Sequence, residues 1–208
     1  MVYKILMMGP QGSGKGTQAE LLSARMGIPA FGMGQLLREE IAAKTDIGRR
    51  AEAIILAGNL VSDEVAAEVL QSRLKRPDVT NGYILDGYPR NMAQANAFTF
   101  DAPTHLLLIE ITDEEAQKRL AGRLTCLSCN KVVAAAQGFK AGDACPCGGT
   151  YTVRKDDTPE AIARRLEIYH NDTKPVIETY AARGILHRID GLGMVEEIAL
   201  RIAQALGL

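Results

Sequence analysis

The sequence predicts an α/β fold in which a parallel sheet is covered by helices. Short apolar runs with the character of buried strands occur at residues 3–8, 83–85, 106–109 and 185–186. Longer segments of helical character separate these runs, which is the alternation typical of a parallel sheet. A glycine-rich loop directly after the first run, between that strand and a helix, supports the same architecture.

Three helix starts are marked by residues that cap a helix N-terminus. Ser62 precedes two acidic residues, and Thr112 stands three positions before Glu115 in the spacing of a capping box. Thr158 precedes Pro159, which suits the first helical position because its missing N–H has no partner there. The sequence therefore predicts helices that begin directly after Ser62, Thr112 and Thr158.

Composition and charge limit the classes of function. With 208 residues and 47% hydrophobic content, the chain can bury roughly 70% of its unfolded surface, which predicts one main core with small appendages. The formal net charge is -1, so bulk charge does not indicate a nucleic-acid or membrane partner. Every apolar run is shorter than the ~20 residues of a transmembrane helix, and the first stops at Gly9 without a basic leader. We expect a soluble, cytoplasmic protein.

Two stretches interrupt the α/β alternation and have the character of inserts. Residues 32–61 have helical character interrupted by glycines. Residues 122–157 are rich in Gly, Cys, Thr and Val and have no helical period. The second stretch is too short to bury a core unaided. We predict a core domain of residues 1–31, 62–121 and 158–208 that carries these two inserts.

The glycine-rich loop has the spacing of a phosphate-binding P-loop. It runs from Gly9 to Lys15 as Gly-Pro-Gln-Gly-Ser-Gly-Lys, and Gly16 and Thr17 follow. Glycines let backbone N–H groups point at phosphate oxygens, the following helix adds its positive dipole end, and Lys15 supplies a mobile charge. The hydroxyl of Thr17 comes one position later than in the general motif, so we do not expect it to bind Mg²⁺ directly. A glycine-rich turn without a ligand is the alternative interpretation.

Several segments together carry a resemblance to a known family. Residues 9–18 read Gly-x-x-Gly-x-Gly-Lys-Gly-Thr-Gln, the form of P-loop found in nucleoside monophosphate kinases, and residues 85–90 read Leu-Asp-Gly-x-Pro-Arg. Residues 57–64 are similar to the linker out of the AMP-binding helices of adenylate kinases, and residues 154–157 to the segment where their lid rejoins the core. The chain resembles the adenylate kinases over its whole length.

The resemblance implies a P-loop nucleoside triphosphate hydrolase-like three-layer fold with a central parallel five-stranded sheet, a helical AMP-binding insert and a small zinc-binding lid. It implies a reversible, Mg²⁺-dependent phosphoryl transfer, ATP + AMP = 2 ADP, that serves adenine nucleotide homeostasis. Closure of the lid and the AMP-binding insert would exclude water, a competing acceptor. The implied partners are the nucleotides ATP, AMP and ADP, without nucleic acid or membrane, and the implied state is a monomer.

The resemblance also assigns roles to individual residues by position. The catalytic residues would be Lys15, Arg90, Arg123, Arg154 and Arg165. The ATP site would comprise Gly12, Ser13, Gly14, Lys15, Gly16, Thr17, Arg119, Arg123 and Gly193. The AMP site would comprise Met33, Arg38, Asn59, Leu60, Val61, Gly87, Tyr88, Pro89, Arg90, Gln94, Arg154 and Arg165. Asp86 would orient water on Mg²⁺, Arg119 would lie over the ATP adenine, and Gln94 would hydrogen-bond the edge of the AMP adenine.

The arginines suit phosphoryl transfer for chemical reasons. The transition state is loose and spreads charge over equatorial oxygens, so catalysis needs positioning and positive electrostatics and no protein nucleophile. Arginine stays protonated and presents a planar fork that matches two phosphate oxygens. Arg119 and Arg123 are four positions apart, so we expect a helix running through Gly122 to place them on one face.

One segment departs from the family pattern. Residues 31–38 read Phe-Gly-Met-Gly-Gln-Leu-Leu-Arg where the family has Ile-Ser-Thr-Gly-Asp-x-Leu-Arg, so Met33 replaces a threonine and Gln35 an acid. That threonine hydroxyl normally meets the AMP base, and a thioether is a poor hydrogen-bond partner. We hypothesise that AMP preference survives through Gln94 and the Gly87 backbone, with looser base discrimination. The alternative is that Met33 only fills the core.

All four cysteines lie in the second insert and form two close pairs. Cys126-Leu-Ser-Cys129 and Cys145-Pro-Cys147 are separated by a loop, which is the layout of a four-thiolate metal site. We expect structural Zn²⁺, since thiolates bind it at roughly 2.3 Å and four protein ligands leave no position for a catalytic water. The family has Cys-x-x-Cys in both halves, and the second pair departs from it at Cys145. Reduced free thiols and redox-active disulfides are the alternatives.

Two other functions are compatible with parts of the sequence. A kinase for UMP, CMP or GMP is one, although the long cysteine-bearing lid and Gln94 argue against it. A nucleic-acid-binding ATPase with a zinc ribbon is the other. Such a ribbon normally interleaves basic and aromatic residues, and between the two cysteine pairs the residues of these types are Lys131, Phe139 and Lys140.

Overall fold

A computed structural model describes residues 2–56, 61–126, 128–129, 131–153 and 157–208. Within these ranges, the side chains of residue 38 and of residues 53–56 are not described. The predicted site residues Asn59, Leu60 and Arg154 lie outside the described residues.

Strands and helices alternate along the described chain. The core strands are β1 (Tyr3–Met8), β2 (Ala30–Gly32), β3 (Gly82–Asp86), β4 (His105–Glu110) and β8 (Leu186–Asp190), and the second insert has β5 (Arg123–Cys126), β6 (Val132–Ala134) and β7 (Tyr151–Val153). The helices are α1 (Lys15–Met26), α2 (Met33–Ala42), α3 (Asp46–Leu56), α4 (Asp63–Leu74), α5 (Met92–Ala97), α6 (Asp113–Ala121), α7 (Pro159–Ile168), α8 (Lys174–Ala181) and α9 (Val195–Ala205). A π-helical turn (Tyr169–Thr173) joins α7 to α8.

The core sheet has five parallel strands in the order β2-β3-β1-β4-β8, which confirms the predicted sheet. β2 had no counterpart among the apolar runs because it is only three residues long. β1 lies between β3 and β4, so the chain leaves β1 toward one side of the sheet and later returns to its other side. Ligands of open α/β sheets bind at such a switch point, outside the carboxyl ends of the strands.

Two hydrophobic clusters cover the two faces of the core sheet. Leu6 and Met8 of β1 pack with residues of α4 and α8, whereas Ile5 and Met7 pack with residues of α1 and α9. Successive side chains of a strand point to opposite faces, so a strand buried on both faces is a continuous apolar run. This arrangement explains why β1 and β4 were evident from sequence.

The three predicted helix starts are confirmed. The side chain of Ser62 accepts a hydrogen bond from the backbone N–H of Val65, and Thr112 accepts one from Glu115. Thr158 caps α7 in the same way, with a proline in the first turn. Each cap satisfies one of the N–H groups that a helix leaves unpaired at its start.

The first predicted insert is helical where the structure describes it, through α2 and α3. The two helices approach closely at Gly48. A Cβ at this position would lie 2.0 Å from the carbonyl oxygen of Glu40, so a side chain of any size would separate the helices. Thr45, in the connection between them, donates a side-chain hydrogen bond to the Glu40 carboxylate at 2.5 Å.

The second predicted insert contains an antiparallel sheet in the order β6-β5-β7, and its described part has no α-helix, as the missing helical period predicted. Leu124, Val133 and Tyr151 form a small buried cluster with two of the cysteines. This cluster is separate from the two clusters of the core sheet, so the packing of the second insert depends on a few side chains. Among the helices of the described ranges, none has the length and apolar character needed to cross a membrane.

The sequence did not predict the π-helical turn between α7 and α8. Pro175 is the second residue of α8 and has no backbone N–H to donate to the preceding turn. In a regular α-helix, the carbonyl oxygen four residues before Pro175 would therefore lack its donor. The wider turn at Tyr169–Thr173 accommodates this interruption. The turn directs Thr173 toward the loop after β3, where its hydroxyl donates to the backbone carbonyl of Arg90 at 2.8 Å.

The central strands should dominate the stability of the protein. Leu107 of β4 is fully buried, so we expect Leu107→Ala to lower the free energy of unfolding by about 3 kcal/mol through lost burial and a residual cavity. Urea denaturation followed by circular dichroism measures the change. As a control, Leu200 on α9 is 58% exposed, and Leu200→Ala should change stability by at most about 0.5 kcal/mol. Equal losses for the two variants would contradict the proposed core.

Candidate active site

The glycine-rich loop connects β1 to α1 at the carboxyl edge of the core sheet. Gly14 precedes α1 with a φ of 90°, a left-handed conformation that favours glycine. A Cβ at Gly9 would lie 2.3 Å from the carbonyl oxygen of Ile109, and one at Gly12 would lie 2.8 Å from that of Ala116. The loop is therefore packed against β4 and α6. It leads into the N-terminus of α1, where unpaired N–H groups and the positive dipole end form an anion site.

Lys15 is the first residue of α1, and its side chain turns back over the loop. Its Nζ donates hydrogen bonds to the carbonyl oxygens of Gly9 at 2.9 Å and Pro10 at 2.8 Å. These bonds hold the ammonium group beside the same backbone that is expected to bind phosphate. Ser13, between Pro10 and Lys15, is fully buried, and its Oγ has no hydrogen-bond partner within the described residues.

The charges around Lys15 perturb its titration. Burial is the main cause that lowers the pKa of the Lys15 ammonium to about 8, the Asp86 carboxylate raises it, and Arg90 and Arg123 lower it. The structure therefore brings Lys15, Asp86 and two predicted catalytic arginines within electrostatic reach of one another, although they are far apart in sequence.

Asp86 is the last residue of β3. Burial raises the pKa of its carboxyl, whereas the charges of Lys15 and Arg90 lower it. Its Oδ1 is buried and, over the described ranges, has no hydrogen-bond partner. An unsatisfied buried acceptor costs free energy unless a ligand or water completes it. The atom therefore suits hydrogen bonding to the water shell of Mg²⁺, a cation that keeps several waters in nucleotide sites.

Asp157 holds two of the predicted catalytic arginines together. Arg123 donates from Nε and Nη2 to the two carboxylate oxygens of Asp157 at 2.8 and 2.6 Å, and Arg165 donates from Nη2 at 2.7 Å. The Asp157 side chain is 1% exposed, so these charge-assisted bonds are screened little by solvent. The sequence analysis missed Asp157 as a site residue. Its position three residues after Arg154, in a segment that resembled the family, was the available signal.

Arg90 is held by its neighbours on the loop after β3. Its Nε donates to the carbonyl oxygen of Gly87 at 2.7 Å, and its backbone N–H donates to Oε1 of Gln94 at 2.8 Å. Thr173, which sequence reasoning also missed, donates to the Arg90 carbonyl from the π-helical turn. Residues 88–89 are buried between these contacts, so the position of Arg90 depends on three separate elements.

The expectation that Arg119 and Arg123 share one helix face is wrong. α6 ends at Ala121, and Arg123 is the first residue of β5. Gly122 caps the helix, and its carbonyl oxygen accepts a hydrogen bond from the backbone N–H of Ala135, so the chain turns there into the sheet of the second insert. The two arginines therefore belong to different elements.

Arg119 lies between α6 and the loop after β8. Its Nε donates to Glu115 at 2.7 Å, and its Nη2 donates to the carbonyl oxygen of Gly191 at 2.9 Å. Gly193, another predicted ATP-site residue, is two positions further along the same loop and has a φ of 110°. The structure thus brings Arg119 close to the segment that contains Gly193.

The predicted residues of the first insert have varied surroundings. Met33 begins α2, is 7% exposed and belongs to the cluster that covers one face of the core sheet. Gln35 is exposed and donates to Glu39 at 2.9 Å. Arg38 is part of α2, and Val61 is half-buried directly before the helix cap Ser62. The AMP-site roles of Met33, Arg38 and Val61 stay predictions.

The four cysteines of the second insert come together. Their Sγ atoms all lie within 4.8 Å of one another, with 3.5 Å between Cys126 and Cys147 and 3.6 Å between Cys129 and Cys145. A tetrahedral Zn²⁺ with thiolates at roughly 2.3 Å requires sulfur separations of about 3.8 Å, so the arrangement fits the ion. All four thiols are free of disulfides. A Cβ at Gly149 would lie 2.8 Å from Sγ of Cys126, so glycine is needed for the tight turn after the second pair.

Comparison with known proteins identifies one family. The family model described as adenylate kinase matches residues 7–185. An adenylate kinase of Stenotrophomonas maltophilia (strain K279a) is 42% identical over 212 aligned residues, which cover 98% of this chain and 98% of the relative. One of Streptomyces avermitilis is 39% identical and covers 98% of this chain and 96% of its own length. One of Acidothermus cellulolyticus is 39% identical, with 98% and 97% covered.

The pKa of Lys15 generates a prediction about proton uptake. Lysine binds phosphate in its charged form, so a bound triphosphate raises its pKa again. At pH 8.5, where a group of pKa about 8 is mostly neutral, ATP binding should take up roughly 0.7 proton through Lys15. As the pH rises through 8, the affinity for ATP should fall. Titration calorimetry in buffers of different ionisation enthalpy measures the uptake.

Lys15→Arg is the matched control for this measurement. A guanidinium stays protonated at pH 8.5, so the variant should lose the uptake assigned to Lys15. Equal proton uptake by the native protein and by Lys15→Arg would show that another group titrates.

Proposed function

The chain belongs to the adenylate kinase family of nucleoside monophosphate kinases, and from that premise we propose that it catalyses the reversible, Mg²⁺-dependent reaction ATP + AMP = 2 ADP. Adenylate kinases are phosphotransferases, and their family relationship implies ATP, AMP and ADP as substrates. In the cell the activity would maintain the balance of adenine nucleotides, and we propose that the protein acts as a cytoplasmic monomer.

One observation carries this proposal: three arginines form a connected cluster of charge with Lys15 of the glycine-rich loop. Arg90 and Arg123 both influence the pKa of Lys15, and Arg165 shares Asp157 with Arg123. Migrating phosphoryl groups carry negative charge on several oxygens at once, which requires a group of cations and no protein nucleophile. The site thus has the components that phosphoryl transfer between nucleotides needs.

The described residues would divide the work as follows. Lys15 exchanges its loop carbonyls for phosphate oxygens, and the N-terminus of α1 binds the same oxygens through backbone N–H groups. Arg123 and Arg165 approach the transferring group from the base of the second insert and from α7. The Asp86 carboxylate would help to hold Mg²⁺ by accepting hydrogen bonds from its water shell, and the ion would supply positive charge that offsets the charge of the phosphates.

Closure of the two inserts would protect the transfer from water. Water is a smaller acceptor than AMP and is present at a much higher concentration, so an open site would hydrolyse ATP. Residues 32–61 and 122–157 are proposed to act as the two covers. Opening on the microsecond-to-millisecond scale would then limit turnover more than the chemical step does.

We further propose that the second insert holds a structural Zn²⁺ through Cys126, Cys129, Cys145 and Cys147. The four sulfurs have separations that suit a tetrahedral ion, and Cys145 lies in the same group as the others. Four protein ligands leave no open position on the ion, so its contribution is to stability and not to catalysis. The hydrophobic cluster of this insert is small, and metal binding would supply the remaining stabilisation.

A comparison of nucleotide acceptors tests the proposed activity. ADP formation from ATP in a coupled assay should be fastest with AMP, with UMP, CMP and GMP as the competing acceptors. Lys15→Met should lower kcat by about 10²- to 10³-fold, because a charge aimed at the transferring phosphates is lost. Lys118→Met, which removes an exposed lysine from α6, is the matched control and should retain activity. Preference for UMP, CMP or GMP would assign the chain to another nucleoside monophosphate as acceptor.

Chelation tests the proposed zinc site. The side chains of Lys131 and Lys140 are exposed, but trypsin can cut after them only where the chain unfolds locally. Removal of the metal, or Cys145→Ser, should therefore make these two bonds cleavable at temperatures where the core is still folded, because metal binding contributes about 10 kcal/mol or more to such modules. Val153→Ala, at a side chain that is 55% exposed in β7, should leave metal content and cleavage unchanged. Purified protein without stoichiometric metal and with four titratable thiols would contradict the site.

A further inference from the structure

We propose that Asp63 is a positioning residue for base selection: it holds the Gln94 side-chain amide in the orientation that accepts adenine and rejects hypoxanthine or guanine. The inference rests on the proposed function, in which Gln94 hydrogen-bonds the edge of the AMP base. Asp63 was not among the predicted site residues.

The contacts of Gln94 carry the inference. Its Nε2 donates to Oδ1 of Asp63 at 2.7 Å, and its Oε1 accepts from the backbone N–H of Arg90 at 2.8 Å. Gln94 is in the first turn of α5, whereas Asp63 is the first residue of α4. The amide is thus fixed at both ends, by groups from two different elements of the core.

The orientation of this amide follows from the chemistry of its partners. A carboxylate only accepts hydrogen bonds and a backbone N–H only donates them. A rotation of the Gln94 amide by half a turn would place its oxygen against the Asp63 carboxylate and its NH₂ group against the Arg90 N–H. Both contacts would then be repulsive, so the partners determine which end of the amide carries the oxygen.

A second side chain reinforces the position of Asp63. Asn91 caps α5, with its Oδ1 accepting from the backbone N–H of Gln94 at 2.8 Å. Its Nδ2 donates to Oδ1 of Asp63 at 3.2 Å. Asp63 therefore accepts hydrogen bonds from two side chains of the same segment, and the carboxylate, the cap and the amide form one connected network.

The hydrogen-bonding groups that Gln94 has left match the Watson–Crick edge of adenine. A glutamine amide has two N–H groups and two oxygen lone pairs, and Asp63 and Arg90 use one of each. One donor and one acceptor are left. The Watson–Crick edge of adenine presents an acceptor at N1 and a donor at the 6-amino group, which is the complementary pair. Hypoxanthine and guanine present a donor at N1–H and an acceptor at O6, so they require the rotated amide that Asp63 and Arg90 disfavour.

This network matters more in this chain than in relatives that keep the family's threonine. Met33 has no hydroxyl to contribute to base recognition and packs in the core cluster. Discrimination between purines then depends more on Gln94, whose orientation is fixed by Asp63 and the Arg90 N–H, together with the Gly87 backbone.

The test compares AMP with inosine monophosphate, which has the N1–H and O6 pattern of guanine without its 2-amino group. Asp63→Asn introduces an amide that can donate as well as accept, so it tolerates the rotated Gln94. We expect the ratio of kcat/KM for inosine monophosphate to that for AMP to rise about tenfold, since one of two repulsive contacts is removed. The ratio does not depend on the fraction of folded enzyme, so partial unfolding of the variant does not affect it.

Two further variants control the result. Glu64→Gln makes the same charge change in the same first turn of α4, at an exposed side chain, and should leave the ratio unchanged. Gln94→Met removes the amide at similar length and should reduce kcat/KM for AMP much more than that for inosine monophosphate.

The outcomes separate the inference from the proposed function. If the native protein does not phosphorylate AMP, the proposed function fails. If it prefers AMP and Asp63→Asn lowers both rates by the same factor, Asp63 has only a structural role and the inference is overturned. An unchanged ratio in Gln94→Met would overturn it as well, since Gln94 would then not contact the base.

Discussion

The crowding of positive charge in one cleft is the constraint on which the rest of the structure depends. Lys15, Arg90, Arg123 and Arg165 must be close together before any phosphate arrives, and like charges at such distances repel. Burial is the main cause of the lowered pKa of Lys15, and the charges of Arg90 and Arg123 lower it further. Asp157 offsets part of this repulsion by accepting hydrogen bonds from two arginines. The cleft is therefore suited to an anion. In this structure the Asp157 carboxylate and the carbonyl oxygens of the glycine-rich loop accept the hydrogen bonds that phosphate oxygens would accept.

The parallel sheet makes this crowding possible. β1, β3 and β4 end at the same edge, so the glycine-rich loop, Asp86 and the start of α6 meet there although their sequence positions differ by a hundred residues. Contacts from outside the sheet complete the arrangement, since the π-helical turn binds the Arg90 carbonyl through Thr173. The fold thus supplies the common edge, and individual side chains fix the orientation of each cation.

Features with a local cause were predictable from sequence, and features that arise from long-range contacts were not. The caps at Ser62, Thr112 and Thr158 and the long apolar strands follow from short-range chemistry. The spacing of Arg119 and Arg123 suggested one helix, yet pairing of the second insert ends α6 at Ala121. The bond between Gln94 and Asp63 joins residues 31 positions apart, and no spacing rule indicates which acid a given amide contacts.

The bond between Arg123 and Asp157 has an implication for how this architecture varies among relatives. It joins the first strand of the second insert to a residue two positions before α7, so the chain leaves the core and re-enters it at neighbouring points. A segment whose entry and exit lie side by side can be shortened, lengthened or exchanged without moving the helices on either side of it. The four-cysteine module is therefore a replaceable part, whereas the glycine-rich loop, surrounded by strands of the core sheet, has no such freedom.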